Sequence, residues 1–115
     1  MRRGEIRLVD LEPARKGEAN KLRPGVIVSN DDANVTTSRL RRGVVTVVPV
    51  TTNIEKIYPF QVLLPANETG LREDSKAQAE QVRSVAVQRL GARIGVVPVR
   101  LMNKLDNALR LHLGL

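Results

Sequence analysis

The stretch Lys21-Leu22-Arg23-Pro24-Gly25-Val26-Ile27-Val28-Ser29-Asn30-Asp31 constrains the fold more than any other part of the chain. A short apolar run bounded by turn formers predicts a buried strand. Pro24 suits the first residue of that strand, where its missing N–H costs little. It also biases Arg23 toward an extended backbone. A stiff piece of chain therefore holds a guanidinium at the rim of a sheet or barrel. Taken alone, such an arginine is most often a solvated strand-end charge, so the remaining sequence has to decide what it does.

The neighbouring segments have the same short-strand character. From Gly4 to Leu11 the chain alternates, with Ile6 and Leu8 on one face and Glu5, Arg7 and Val9 on the other, which predicts a half-buried strand. Glu12-Pro13 ends it, and the polar run from Ala14 to Leu22 predicts an exposed loop. Asn30-Asp31-Asp32-Ala33-Asn34 carries cap and turn residues and predicts a short helical turn or loop. Gly43 to Val50 is β-branched and apolar on both faces, as a central strand is, with Pro49 near its end. Thr51-Thr52-Asn53 leaves that strand for a loop from Ile54 to Tyr58. Pro59 to Leu64, Ser75 to Val87, and Arg89 to Val97 after a turn at Gly91 read as further extended segments. Only the end is clearly helical: Leu101, Met102, Leu105, Ala108 and Leu109 form one stripe, with Pro98 in the first turn and Gly114 as the stop. Six or seven short strands and one C-terminal helix predict a mainly β fold, a small and strongly curved barrel or sheet. At 115 residues the chain is expected to be one domain, 1–115.

Composition narrows the chemistry by what it lacks. There is no cysteine and one histidine, His112. Disulfides, thiolate metal sites, a two-histidine acid–base pair and a multi-histidine zinc site are thereby excluded within one chain. The sequence has no glycine-rich phosphate loop and no G-x-S-x-G elbow. Asp31 and Asp32 are adjacent, without the spaced acidic partners of a magnesium site. Neither a metal nor a cofactor is expected. No apolar run approaches the roughly 18–20 residues of a membrane span, and nothing behind Met1-Arg2-Arg3-Gly4 resembles a signal peptide. A cytoplasmic protein with no membrane partner is expected. Against 12 acidic residues stand 19 Lys and Arg, a net charge of +7 that favours polyanions such as RNA, DNA or an acidic protein segment. Tyr58 and Phe60 are the only aromatics, so an RNA binder built on stacked rings is not expected. Arginines, lysines, threonines and serines remain, and these can grip a phosphodiester and stabilise charge gathering on phosphorus.

Several short matches then run in one order along the whole chain: Arg3-Gly4-Glu5-Ile6, Val9-Asp10-Leu11-Glu12-Pro13, Arg23-Pro24-Gly25-Val26-Ile27-Val28-Ser29-Asn30-Asp31 and Val48-Pro49-Val50-Thr51, followed by Asp74-Ser75, Glu80-Gln81-Val82-Arg83-Ser84, Arg89-Leu90, Leu105-Asp106-Asn107-Ala108-Leu109 and Leu113-Gly114-Leu115. Through them the sequence resembles the MazF/PemK-type toxins, the endoribonucleases of bacterial toxin–antitoxin pairs. The resemblance implies a compact SH3-like barrel with a C-terminal helix, working as a homodimer. It implies metal-independent, sequence-selective cleavage of single-stranded RNA, mostly mRNA, to 2′,3′-cyclic phosphate and 5′-hydroxyl ends. It also implies a cognate antitoxin whose acidic, disordered tail covers the RNA cleft. The family's catalytic arginine falls on Arg23 and its catalytic threonine on Thr51. RNA contacts are expected from Lys16, Glu18, Lys21, Thr52, Asn53, Lys56, Ser75 and Gln81. The sequence departs from the family at Arg7-Leu8, where an aromatic is common, at Lys16-Gly17-Glu18, where Gly-Ser-Glu is common, and at Lys76-Ala77-Gln78-Ala79, where larger aliphatics are common.

A guanidinium offers a planar fork of donors to the phosphate, and a threonine hydroxyl can donate to the same oxygens. Arg23 is not a ready proton acceptor, because its guanidinium stays charged above pH ~12. Activation of the 2′-hydroxyl is left to positioning, to Glu18 or to a water. Two other activities remain open on such a small barrel: a non-catalytic RNA-binding module, and a gyrase-poison-type toxin that cuts nothing.

Overall fold

The computed structural model describes residues 1–12 and 21–115. Seven strands are formed among the described residues: β1 (Glu5–Asp10), β2 (Leu22–Ile27), β3 (Val44–Thr51), β4 (Gln61–Leu64), β5 (Ser75–Gln78), β6 (Arg83–Ala86) and β7 (Leu90–Val96). The helices are α1 (Asp31–Leu40), the single turn α2 (Ala66–Thr69) and α3 (Val99–Leu113). The architecture is mainly β, antiparallel throughout, with a C-terminal helix. No helix among the described residues is long and apolar enough to cross a membrane.

β3 is the hub. One of its edges pairs with β2, and the other is shared, with β6 beside its first half and β5 beside its last two residues. The strand order is β4-β5-β3-β2-β1-β7, an open path ending at β4 and β7. Valines occur on both faces of β3 because both faces are covered. On one face Ile6, Val26, Val48 and Val50 pack with Leu64 and Ala77 against Leu101, Met102, Leu105 and Ala108 of α3. On the other, Val9, Ile27, Val45, Val47 and Val85 form a second buried cluster. α3 presents the stripe that its sequence predicts. Pro98 stands one place earlier than expected, at the N-cap, and Gly114 closes the helix with φ 72°, its N–H donating to the Arg110 carbonyl.

The structure departs from the sequence reading in five places. The cap residues at 30–34 start a ten-residue helix rather than a short turn. α1 has no apolar stripe to announce it, and Asn34 is its only buried residue. Its capping is local: Asn30 Oδ1 accepts from the Ala33 N–H at 2.8 Å, and buried Asn34 donates to the Ser29 carbonyl at 2.8 Å. The segment 75–87 is not one strand. A 3-10 turn at Ala79–Gln81 breaks it, because β5 and β6 pair with different halves of β3. The strand expected from Pro59 starts only at Gln61. Finally, Pro24 is the third residue of β2, not the first, and Gly91 lies within β7. Gly95, also in β7, lets the α2 turn rest on the sheet. A Cβ there would come within 2.5 Å of the Thr69 carbonyl oxygen.

Candidate active site

Strand register brings the two expected catalytic residues together. β2 pairs with β3 as Gly25↔Pro49, Val26↔Val48 and Ile27↔Val47. The pairing ends at Gly25↔Pro49; Arg23 lies two residues past it on β2 and Thr51 two residues past it on β3, so an unbroken register would set the two opposite each other. On the other edge of β3, Thr51 is the direct partner of Lys76. Directly opposed residues of antiparallel strands share a face of the sheet. Arg23, Thr51 and Lys76 therefore form a row across β2, β3 and β5, with neighbouring strands about 4.8 Å apart. The row lies where all three strands meet their rim.

Each member of the row is prepared differently. Arg23 is exposed, and its guanidinium has no hydrogen-bond or ion-pair partner among the described residues. Four other arginines are held in ion pairs: Arg3 to Asp106, Arg7 to Glu5, Arg89 to Asp10 and Arg100 to Glu68. Thr51 is half-buried, and its Oγ1 accepts the Asn53 N–H at 3.2 Å. That bond uses a lone pair, so the hydroxyl proton is left to donate outward. Asn53 repeats the turn, its Oδ1 accepting from the Glu55 N–H at 3.3 Å. Lys76 is buried, and its ammonium donates to the Lys56 carbonyl at 2.6 Å.

The residues expected to contact RNA separate into two sets. Asn53 and Lys56 line an open groove of about 440 Å3 with Glu55, Tyr58 and Lys76. Thr52 and Ser75 line a different, mostly apolar pocket of about 460 Å3, with Leu8, Pro24, Leu71 and Ile94 among its walls. Leu8 and Pro24 are direct partners on β1 and β2, one residue out of step with Arg23, so this pocket belongs to the opposite face of the sheet. Ser75 is buried, with its hydroxyl donating to the Glu73 carbonyl at 2.9 Å. Lys21 is exposed just before β2, and Gln81 is exposed in the 3-10 turn between β5 and β6. Lys16 and Glu18 lie outside the described residues.

Two features of the groove escaped the sequence reading. Tyr58 and Phe60, the only aromatic rings of the chain, stack on each other with centroids 5.3 Å apart and planes within 3°. Lys56 places its ammonium 4.7 Å from the Tyr58 ring centroid. The signal was present as a period of two, Lys56-Ile57-Tyr58-Pro59-Phe60, but the sequence reading divides it between a loop ending at Tyr58 and a strand starting at Pro59. Lys76 was passed over as one polar residue in a weak strand. Among the described residues no three His, Cys, Asp or Glu side chains gather into a group able to hold a metal ion. The row offers instead a fork of N–H donors, a hydroxyl and an ammonium at the end of a β-sheet, a donor set suited to the oxygens of a phosphodiester.

Comparison with known proteins places the whole chain. Residues 2–113 match the family described as PemK-like, MazF-like toxin of type II toxin–antitoxin system. Endoribonuclease MazF9 of Mycobacterium tuberculosis is 64% identical over 115 residues, covering 100% of this chain and 98% of that protein. Endoribonuclease MazF of Staphylococcus saprophyticus is 32% identical, covering 100% of this chain and 92% of its own length. Among solved structures, a mycobacterial endoribonuclease in complex with its cognate antitoxin superposes with a TM-score of 0.78 at 28% identity, covering 100% of this chain and 96% of that one.

Proposed function

The chain belongs to the PemK-like, MazF-like toxin family of type II toxin–antitoxin systems, and on that premise we propose that it is a sequence-selective endoribonuclease, cutting single-stranded RNA, chiefly mRNA, and so arresting translation and growth. What supports this reading is that Arg23 and Thr51 each lie two residues past the same β2–β3 pair, the guanidinium without a partner among the described residues and the hydroxyl with its proton free to donate. In the reaction the substrate's own 2′-hydroxyl oxygen bonds to the adjacent phosphorus, and the bond from phosphorus to the 5′-oxygen breaks. The 2′-hydroxyl proton passes to solvent water, and water supplies a proton to the leaving 5′-oxygen. The products are a 2′,3′-cyclic phosphate and a 5′-hydroxyl. Arg23 holds the non-bridging oxygens in its fork and stabilises the charge of the pentacoordinate state, and Thr51 donates to the same oxygens. Neither residue takes the 2′-hydroxyl proton: a guanidinium is a donor only, and the Thr51 hydroxyl donates to the phosphate oxygens. No step calls on a metal ion.

The same reading makes the protein a homodimer of single-domain chains acting in the cytoplasm. It gives the protein an antitoxin with an acidic, disordered tail, drawn by the +7 charge to the rim that holds Arg23. The test is incubation of the purified protein with mixed single-stranded RNA in excess EDTA, followed by analysis of the product ends. Cleavage to cyclic phosphate and 5′-hydroxyl ends is expected. RNA binding without cleavage would turn the reading toward a binding module, and gyrase inhibition without cleavage toward a poison of the same fold.

A further inference from the structure

Lys76 is the one lysine buried among the described residues, with 7% of its surface exposed. No carboxylate pairs with it there, although burying an unpaired ammonium is costly. Its one protein acceptor is the Lys56 carbonyl at 2.6 Å, and an ammonium has three N–H donors. That carbonyl and the Tyr58 ring, whose centroid is 5.9 Å from Nζ, fix the charge at the floor of the groove beside Thr51. Lys56 adds a second ammonium, held at the Tyr58 ring by a cation–π contact. Glu55 stands in the same groove and forms no ion pair with either lysine among the described residues. It leaves the groove one acceptor for a base N–H or a ribose hydroxyl. A buried cation beside an exposed one describes a site for an anion that arrives from outside.

We propose that Lys76 and Lys56 form a second phosphate subsite, which holds the RNA linkage next to the one gripped by Arg23 and Thr51. The inference rests on the reading that RNA is the substrate, and adds a contact that sets the strand's path away from the cut. Lys76 is one strand spacing, about 4.8 Å, beyond Thr51, and its ammonium points on toward the loop of Lys56 rather than back to Arg23. It therefore serves a neighbouring linkage and not the scissile one.

The experiment walks a single neutral methylphosphonate along a short RNA that carries a 2′-deoxy sugar at the cut position, so that binding is read without cleavage. With the wild-type protein, affinity is expected to fall about tenfold when the neutral linkage occupies one of the positions flanking the cut. Lys76→Met should bind unmodified RNA about tenfold more weakly and lose nothing further at that linkage. The salt dependence of its binding should also shallow by about 0.7 in the log–log slope, the loss of one phosphate contact to single-stranded nucleic acid. Lys56→Met, an exposed change, should show the same coupling in weaker form and decides the matter if Lys76→Met does not fold. Losses that simply multiply, with an unchanged salt slope, would overturn the subsite while leaving ribonuclease activity intact. A wild-type protein that cleaves no RNA would sink the parent reading instead.

Discussion

Arg3 and Arg23 sit near the two ends of β2, and their surroundings differ in kind. Arg3 donates through Nε to the Val28 carbonyl at 2.8 Å and pairs with Asp106 of α3 at 2.5 Å, so it clamps the sheet to the helix. Arg23 has Pro24 to stiffen it, lies like Thr51 two residues past the last β2–β3 pair, and has no internal partner among the described residues. The same side chain is a structural fastener where carboxylate and carbonyl converge on it. Where none do among the described residues, as at Arg23, the guanidinium is left available to a ligand from outside. The distinction lies in the partners, not in the exposure of the arginine alone, because Arg100 is well exposed and still pairs with Glu68 at 2.7 Å.

The comparison breaks most easily at Arg23. Arg23→Lys should reduce single-turnover RNA cleavage about 10²–10³-fold, the scale seen when a fixed donor to a transition-state oxyanion is lost. A lysine keeps the charge but not the fork, and the melting temperature should stay within about 1 °C. An active lysine variant would place Arg23 among ordinary rim charges. Thr51→Val comes next. Losing one hydrogen bond to a charged group, about 1.5–3 kcal/mol, should slow turnover roughly 10–100-fold while RNA affinity changes little. Equal losses in affinity and turnover would make Thr51 a binding residue.

At the fastener end the signs reverse. Arg3→Ala should lower stability by about 1–2 kcal/mol and the melting temperature by roughly 5 °C, with cleavage per folded molecule unchanged within about twofold. A loss of activity with an unchanged melting curve would erase the contrast between the two corners. Arg100→Ala, at an exposed pair, should cost less than about 0.5 kcal/mol in denaturant unfolding. A larger loss would show that the exposed pair holds α3 more firmly than its setting implies.

Much of this was legible in the sequence, for identifiable reasons. β2 and β3 carry short apolar runs and α3 a stripe at the helical period, and burial follows both; in β1 it covers both faces, with Ile6 in one cluster and Val9 in the other. α1 was not legible, because capping and one buried asparagine hold it instead of a stripe. The break between β5 and β6 was hidden as well, since both are extended and only their partners on β3 differ. At the site, Arg23 and Thr51 could each be placed at a strand end. Their alignment needed the register, which is set by pairings that no single segment encodes. Register likewise put Lys76 beside Thr51 and moved Thr52 and Ser75 to the other face.

The central claim is that Arg23 and Thr51 act on one phosphate. It is tested most directly by a double-mutant cycle on single-turnover cleavage: wild type, Arg23→Lys, Thr51→Val and the double variant, all in EDTA. If both side chains hold the oxygens of one phosphorus, the double variant should cleave about as slowly as Arg23→Lys alone, because groups that act as a unit are not additive. If the two losses multiply, the residues act independently, and the row across β2 and β3 is not one catalytic site.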